Sequence, residues 1–202
     1  MKSRGLLIAL VIAAVILVFL VGAFLWGTGV YNSLVGLDEG VASAWSQVEN
    51  QYQRRADLIP NLVATVKGFA AQEKEVLLGV TEARAKVSQM TVTKEVLDDP
   101  EAFAKFQAAQ DELSSALSRL LVVAENYPQL KSNENFLALQ DQLEGTENRI
   151  SVERRRFNET VQAYNTSLRR FPGSLVAMLT NFSEKQYFKA QSEAANPPKV
   201  EF

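Results

Sequence analysis

The sequence predicts an all-α protein: an N-terminal transmembrane helix, then an antiparallel, mostly four-helix bundle with a short extra helix at its C-terminal end. Three observations carry this. No charged residue occurs between Gly5 and Leu37, and the apolar core of that stretch, Leu6–Trp26, reaches the roughly 20 residues that span a bilayer. Beyond it, apolar residues recur at alternating spacings of three and four, the signature of one helical stripe. No segment alternates with the period of two that a half-buried strand needs.

The first element is the anchor. Lys2 and Arg4 precede the apolar run, and Trp26 and Tyr31 stand where interfacial aromatics are expected. A cleaved signal peptide would have an apolar region of about 7–15 residues followed by small residues; here the run is longer and passes into Phe24-Leu25-Trp26. The first charges after the span are Asp38 and Glu39, and the next positive residue is Arg54. The positive-inside rule therefore puts residues 1–5 in the cytoplasm and the domain on the extracytoplasmic side of the membrane. The expected division is 1–5 cytoplasmic, 6–30 transmembrane anchor, 31–172 helical bundle, and 173–202 short amphipathic helix with an extended tail. Tyr31–Leu37 reads as a linker with Gly36 as its flexible point.

The first bundle helix, Val41–Phe69, organises the domain. Val41, Trp45, Val48, Tyr52, Ile59, Leu62, Val66 and Phe69 fall on one stripe once Arg55 is counted with them. A seam that long needs partner helices to cover it. Two structural residues break the pattern. Pro60 removes a backbone donor, so a kink or local opening near Ala56 is expected. Arg55 sits at an apolar position, where an unpaired guanidinium would be costly. A carboxylate should reach it from another helix; if the helices alternate up and down with a turn near Gly68, Glu112 and Glu147 fall level with it. Glu147 is then the favoured partner, with a role in fixing helix register, the alternative being that Arg55 snorkels and buries only its stem.

Gly68 and the small residues Ala70-Ala71 read as a turn into a second helix, Gln72 to about Met90, although a continuous first helix stays open. Asp99 is a good N-cap with Pro100 at the first helical position. The third helix carries Phe103, Phe106, Gln110, Leu113, Leu117, Leu120, Ala124 and Tyr127 on its stripe and should end at Pro128. The last long helix opens at Ser132 or Asn133, with Phe136, Leu139, Leu143, Thr146, Ile150, Phe157, Val161, Tyr164, Leu168 and Phe171 inward. Pro172-Gly173 stops it. Leu175–Phe182 is a shorter amphipathic piece, and Val200 and Phe202 could dock in extended form.

Composition narrows the function classes. The chain has no Cys and no His, which removes thiolate chemistry, disulfides, Ser-His-Asp triads and the commonest transition-metal ligand. Asp98-Asp99, Asp111-Glu112, Glu73 and Glu75 have neither a Gly-rich loop nor a partner base beside them. No catalytic residue, cofactor site or metal site is assigned, and the chain is not expected to be an enzyme. With Lys2 and Arg4 set aside, the remainder carries about −4, which gives no reason to expect nucleic-acid binding. Arg154-Arg155-Arg156 is interleaved with acidic residues and reads as a solvated, ion-paired face. Ala9/Ala13 and Ala23/Gly27 are small-xxx-small pairs through which two spans could pack.

The segments YNSLVGLDEGVASAWSQVENQYQRRADLIPNLVATVKGFAAQEKEVL and VTEARAKV, with Tyr164-Asn165, Phe171-Pro172 and the terminal PKVEF, resemble the bacterial LemA family. The run QRRADLIPNLV is the most specific part. The resemblance implies a membrane span followed by a mostly four-helix envelope domain of no established catalytic activity. The family often has His where this chain has Gln72. Its members are commonly described with the short N-terminus outside the cell, whereas the flanking charges here argue the reverse. The leading functional expectation is a membrane-anchored scaffold or adaptor with protein partners and self-association. The alternative is a ligand-sensing helical domain that relays to a membrane partner, although about five residues before the span are too few for an output domain.

Overall fold

The computed structural model describes residues 2–90 and 94–189, with side chains from Leu10 onward and none at 94 and 95. The chain is all-α. In order it forms α1 (Lys2–Phe69), α2 (Lys74–Ser88), a 3-10 turn (Lys94–Leu97), α3 (Pro100–Ala124), α4 (Pro128–Lys131), α5 (Glu134–Arg169) and α6 (Gly173–Leu179). No strand occurs among the described residues. Two compact units emerge: residues 2–40 with Gln162–Glu184, and Val41–Val161 with 185–189. The expected tail docking by Val200 and Phe202 lies outside the described residues.

α1 differs from the expected anchor–linker–helix arrangement. It is one helix from Lys2 to Phe69, and Tyr31–Leu37 is helical throughout. Gly36 does not interrupt it, since a single helical Gly costs only about 1 kcal/mol. Pro60 does not interrupt it either. Proline at 60 leaves the Ala56 carbonyl without its usual donor, and Arg84 of α2 fills the gap, its Nε donating to the Ala56 oxygen at 3.0 Å. The defect in α1 thus becomes a tether to α2.

In the larger unit, α1 from Val41 to Phe69, α2, α3 and α5 form the bundle around an aliphatic cluster. Ile59, Leu62 and Val66 meet Leu77 and Val80 of α2, Leu113, Leu117 and Leu120 of α3, and Phe136 and Leu143 of α5. The α1–α2 turn is closed by Tyr127, whose hydroxyl donates to Glu73 at 2.6 Å and accepts from Gln72 at 2.9 Å. That bond to Glu73 raises the Tyr127 pKa. Asp99 caps α3 by accepting from the amides of Glu101 and Ala102 at 2.8 and 3.2 Å, and the Asn133 side chain accepts from the Phe136 amide at 3.1 Å.

Two boundaries move from the sequence expectation. α3 ends at Ala124, short of Tyr127, and Pro128 opens α4 instead of closing α3. Proline lacks only an amide that a first helical turn leaves unused, so it starts helices as readily as it stops them. Phe171 is not on the inner face of α5; it follows the helix end and is 75% exposed. In the smaller unit, Leu34, Tyr164, Asn165 and Leu168 are buried, and the Tyr164 hydroxyl donates to the Ser183 carbonyl at 3.0 Å. Gly173 is required for packing there, because a Cβ would sit 2.1 Å from the Ser167 carbonyl oxygen.

Candidate functional site

One polar layer crosses the bundle interior, and Arg55 is its centre. The three-four stripe of α1 turns the side chain inward between Tyr52 and Ile59, and only 1% of it remains exposed. Its Nη1 donates to Ser114 Oγ at 2.7 Å and to Glu147 Oε1 at 2.8 Å. Its Nη2 donates to the side-chain oxygen of Gln110 and, at 3.4 Å, to the Gln110 carbonyl. The guanidinium carbon also lies 5.2 Å from the centre of the Tyr52 ring, within range of a cation–π attraction. Nε alone has no partner.

Of the two carboxylates level with Arg55, the structure brings Glu147 to it and places Glu112 elsewhere, in an ion pair with Lys86. The Glu147 side chain is 38% exposed. The charge pair is therefore buried on one side only, and water screens part of its attraction. The sequence pattern does not mark Gln110 and Ser114 as partners of Arg55. Gln110 offered a signal, since an amide at an apolar seam position of the third helix needs a polar neighbour as much as Arg55 does.

Glu147 and Ser114 also line an open groove of about 330 Å³, shared with Leu117, Leu121, Leu143 and Asn148. Pro60, the other structural residue singled out, lies exposed on α1 and acts through the Ala56–Arg84 contact. Trp26 lies in the smaller unit, its ring 6.0 Å from Phe171. Leu6 is within α1 but before the described side chains. Among the described residues no group of three His, Cys, Asp or Glu could hold a metal ion.

A second constellation lies on the N-terminal side of Arg55 along α1. Trp45 packs edge-on against Phe106 and Phe157, with centroids 5.4 Å apart in each pair, and stacks on Phe188 at 5.9 Å. Tyr52 adds an edge contact to Phe106 at 5.5 Å. Phe188 belongs to a non-helical strap, 185–189, that no helical period could reveal. Asn158 of α5 holds the backbone of Phe188 at both ends, donating to its carbonyl at 3.0 Å and accepting from its amide at 2.9 Å. Gln107 of α3 grips Lys189 in the same way, at 2.9 and 3.2 Å. Lys185 pairs with Asp98 at 2.7 Å, and the Gln186 amide donates to the Leu97 carbonyl at 3.1 Å. Two amide side chains thus do for the strap what a neighbouring strand would do in a sheet.

The arginine run divides. Arg155 and Arg156 face outward with Glu159 and Glu153. Arg154 instead turns in, 3.5 Å from Asp111 and with its guanidinium carbon 4.5 Å from the centre of the Phe188 ring. Consecutive helical residues point about 100° apart, so a run of three cannot share one face. Burial pushes the Tyr52 phenol up to about 12, against the opposing pull of Arg154 and Arg55. Nothing in either constellation pairs a nucleophile with a base; what they can do is fix helix register and hold a non-helical peptide segment.

A model of the LemA family matches residues 44–202. Magnetosome protein MamQ of Magnetospirillum gryphiswaldense is 26% identical over 184 residues, which cover 83% of this chain and 67% of the relative. Magnetosome proteins MamQ 1 and MamQ 2 of Paramagnetospirillum magneticum show the same identity and coverage. α1 is long and apolar enough at its N-terminal end to cross a membrane, and the chain is a membrane-associated helical protein.

Proposed function

Since the chain belongs to the LemA family, we propose that it is a membrane-anchored helical scaffold or adaptor of the bacterial cell envelope, acting through protein–protein contacts and self-association. The observation that carries the reading is α1 itself. One helix, without a break from Lys2 to Phe69, holds both the apolar span and the organising seam of the bundle. The charged cluster at Arg55 is spent inward on Ser114, Gln110 and Glu147, which suits a structural role. The names of the relatives give a cellular structure, the magnetosome, and no reaction. The domain lies on the extracytoplasmic side, because Lys2 and Arg4 flank the span on one side only.

Chemical crosslinking of the full chain in its native membrane, followed by identification of attached proteins, tests the reading. Discrete adducts with other envelope proteins are expected. Adducts with itself alone would favour a structural assembly over an adaptor, and none above the uncrosslinked control would overturn both. A reporter active only in the cytoplasm, fused after Phe202, should be silent; strong activity would reverse the sidedness. A ligand-sensing domain has one observation in its favour: the groove beside Glu147 is lined by two partners of Arg55. A ligand there should raise the unfolding temperature in a small-molecule screen, and Glu147→Gln should abolish that rise.

A further inference from the structure

The smaller unit exposes an apolar surface that neither the fold nor the proposed scaffold role uses. Phe171, Leu175, Met178 and Leu179 are 75, 46, 82 and 79% exposed. Leu175, Met178 and Leu179, spaced three and one, fall on one face of α6, and Phe171 lies in the turn just before it. α6 itself, GSLVAML, carries no charge. Exposed side chains of this size are ordinary when scattered, but a contiguous set marks a contact surface.

Its place in the unit indicates what covers it. Leu6–Trp26 supplies about the 30 Å of helix that a hydrocarbon core requires, so Trp26 stands at the bilayer interface, where indole rings are favoured. The Phe171 ring lies 6.0 Å from that of Trp26, which puts the start of α6 at the same depth. Between them runs an open groove of about 550 Å³, lined by Leu25, Trp26, Val30, Arg170, Phe171 and Gly173 among others. Tyr31 and Phe182, with rings 5.6 Å apart, add a second aromatic pair beside it. Arg170 is exposed and has no ion-pair partner among the described residues, which suits an anionic headgroup phosphate.

We propose that α6 is an interfacial element: it lies in the headgroup–acyl boundary of the membrane that α1 crosses, with Phe171, Leu175, Met178 and Leu179 inserted and Arg170 at the phosphates. The occupant is the lipid surface itself. The apolar patch is continuous with the spanning segment, and a short apolar helix there inserts by the area it buries, with Arg170 beside it supplying the attraction to anionic lipid. This rests on the reading that Leu6–Trp26 spans the bilayer.

The chain has no cysteine, so single-thiol variants of the full chain can be spin-labelled without background. Met178→Cys, Val18→Cys and Val122→Cys all replace exposed side chains. Each is reconstituted into vesicles of phosphatidylethanolamine and phosphatidylglycerol and probed by collision with oxygen, which partitions into lipid, and with a water-soluble nickel chelate. The label at 18 should collide mainly with oxygen and the label at 122 mainly with nickel. The oxygen-to-nickel ratio at 178 should exceed that at 122 several-fold. A ratio at 178 equal to that at 122 would overturn the proposal while leaving the anchor intact. Protection at 178 from both reagents would also overturn it, because a protein partner or a second copy would then cover α6. An aqueous signal at 18 would bring down the spanning segment itself.

Discussion

On the C-terminal side of Arg55 along α1 the bundle core is aliphatic, with Ile59, Leu62 and Val66 against Leu113, Leu120 and Leu143. On the N-terminal side it is aromatic, with Trp45 and Tyr52 against Phe103, Phe106, Phe157 and Phe188. α2 supplies Leu77, Val80 and Ala83 to the first, whereas the strap supplies Phe188 to the second. The difference shows two ways of completing one bundle. A helix covers its neighbours by periodicity alone. A strap needs specific partners for every exposed amide and carbonyl, and here Asn158 and Gln107 provide them. Between the two halves lies the Arg55 layer, whose hydrogen bonds join α1 to α3 and α5.

The largest effect expected from breaking this arrangement is at Arg55. Arg55→Met should cost about 3 kcal/mol in denaturant unfolding of the full chain in micelles, the upper end of the range for leaving buried polar partners unsatisfied, since the Glu147 carboxylate left behind is 38% exposed and water takes up part of its charge. Arg54→Met, at the exposed neighbouring position, should stay within about 0.5 kcal/mol. Equal small effects would mean that the layer does not hold the halves together.

The aromatic half should also differ in its response to alkali. The Tyr52 phenol is held up at about 12 by burial, whereas in the unfolded chain it ionises near 10. Its contribution is therefore intact below about pH 10 and is lost as pH rises towards 12, on the order of 2 to 3 kcal/mol in total. The stability difference between the wild type and Tyr52→Phe should shrink by that amount between pH 9 and pH 12. A constant difference would place the phenol in water.

Smaller again is the effect at the strap. Asn158→Ala removes both bonds to Phe188 and should cost about 1 to 2 kcal/mol. The loss should appear as faster hydrogen exchange at Phe188 and Lys189 while the aliphatic half keeps its protection. Uniform loss across both halves would show that the strap is part of one cooperative core. Arg84→Met, which frees the Ala56 carbonyl, should cost about 1 kcal/mol, read as exchange of the α2 amides.

The three-four spacing made most of this interior legible. Val41, Trp45, Val48, Tyr52, Ile59, Leu62 and Val66 are all buried, and the spacing that marks them carries Arg55 inward. Spacing along one helix says nothing about which polar atoms face it from others, so Ser114 stayed hidden although Gln110 stood on a seam. The strap has no period and depends on side chains at positions 107 and 158, far away in sequence. Pro60 and Pro128 show the limit of local rules: the donor each lacks is made good by Arg84 in one case and by a helix start in the other.

Arg55 and Gln110 are both essentially buried, at 1 and 2% exposure, so the coupling between them tests most directly whether the layer acts as a unit. A double-mutant cycle of Arg55→Met and Gln110→Leu, followed by denaturant unfolding, measures it. The predicted coupling is at least about 1.5 kcal/mol, the double variant being much more stable than the sum of the two losses implies, because an apolar pair replaces a buried, charge-assisted hydrogen bond and leaves neither partner orphaned. Additivity to within about 0.5 kcal/mol would contradict it and leave Arg55 and Gln110 as independent residues of a bundle whose register is set elsewhere.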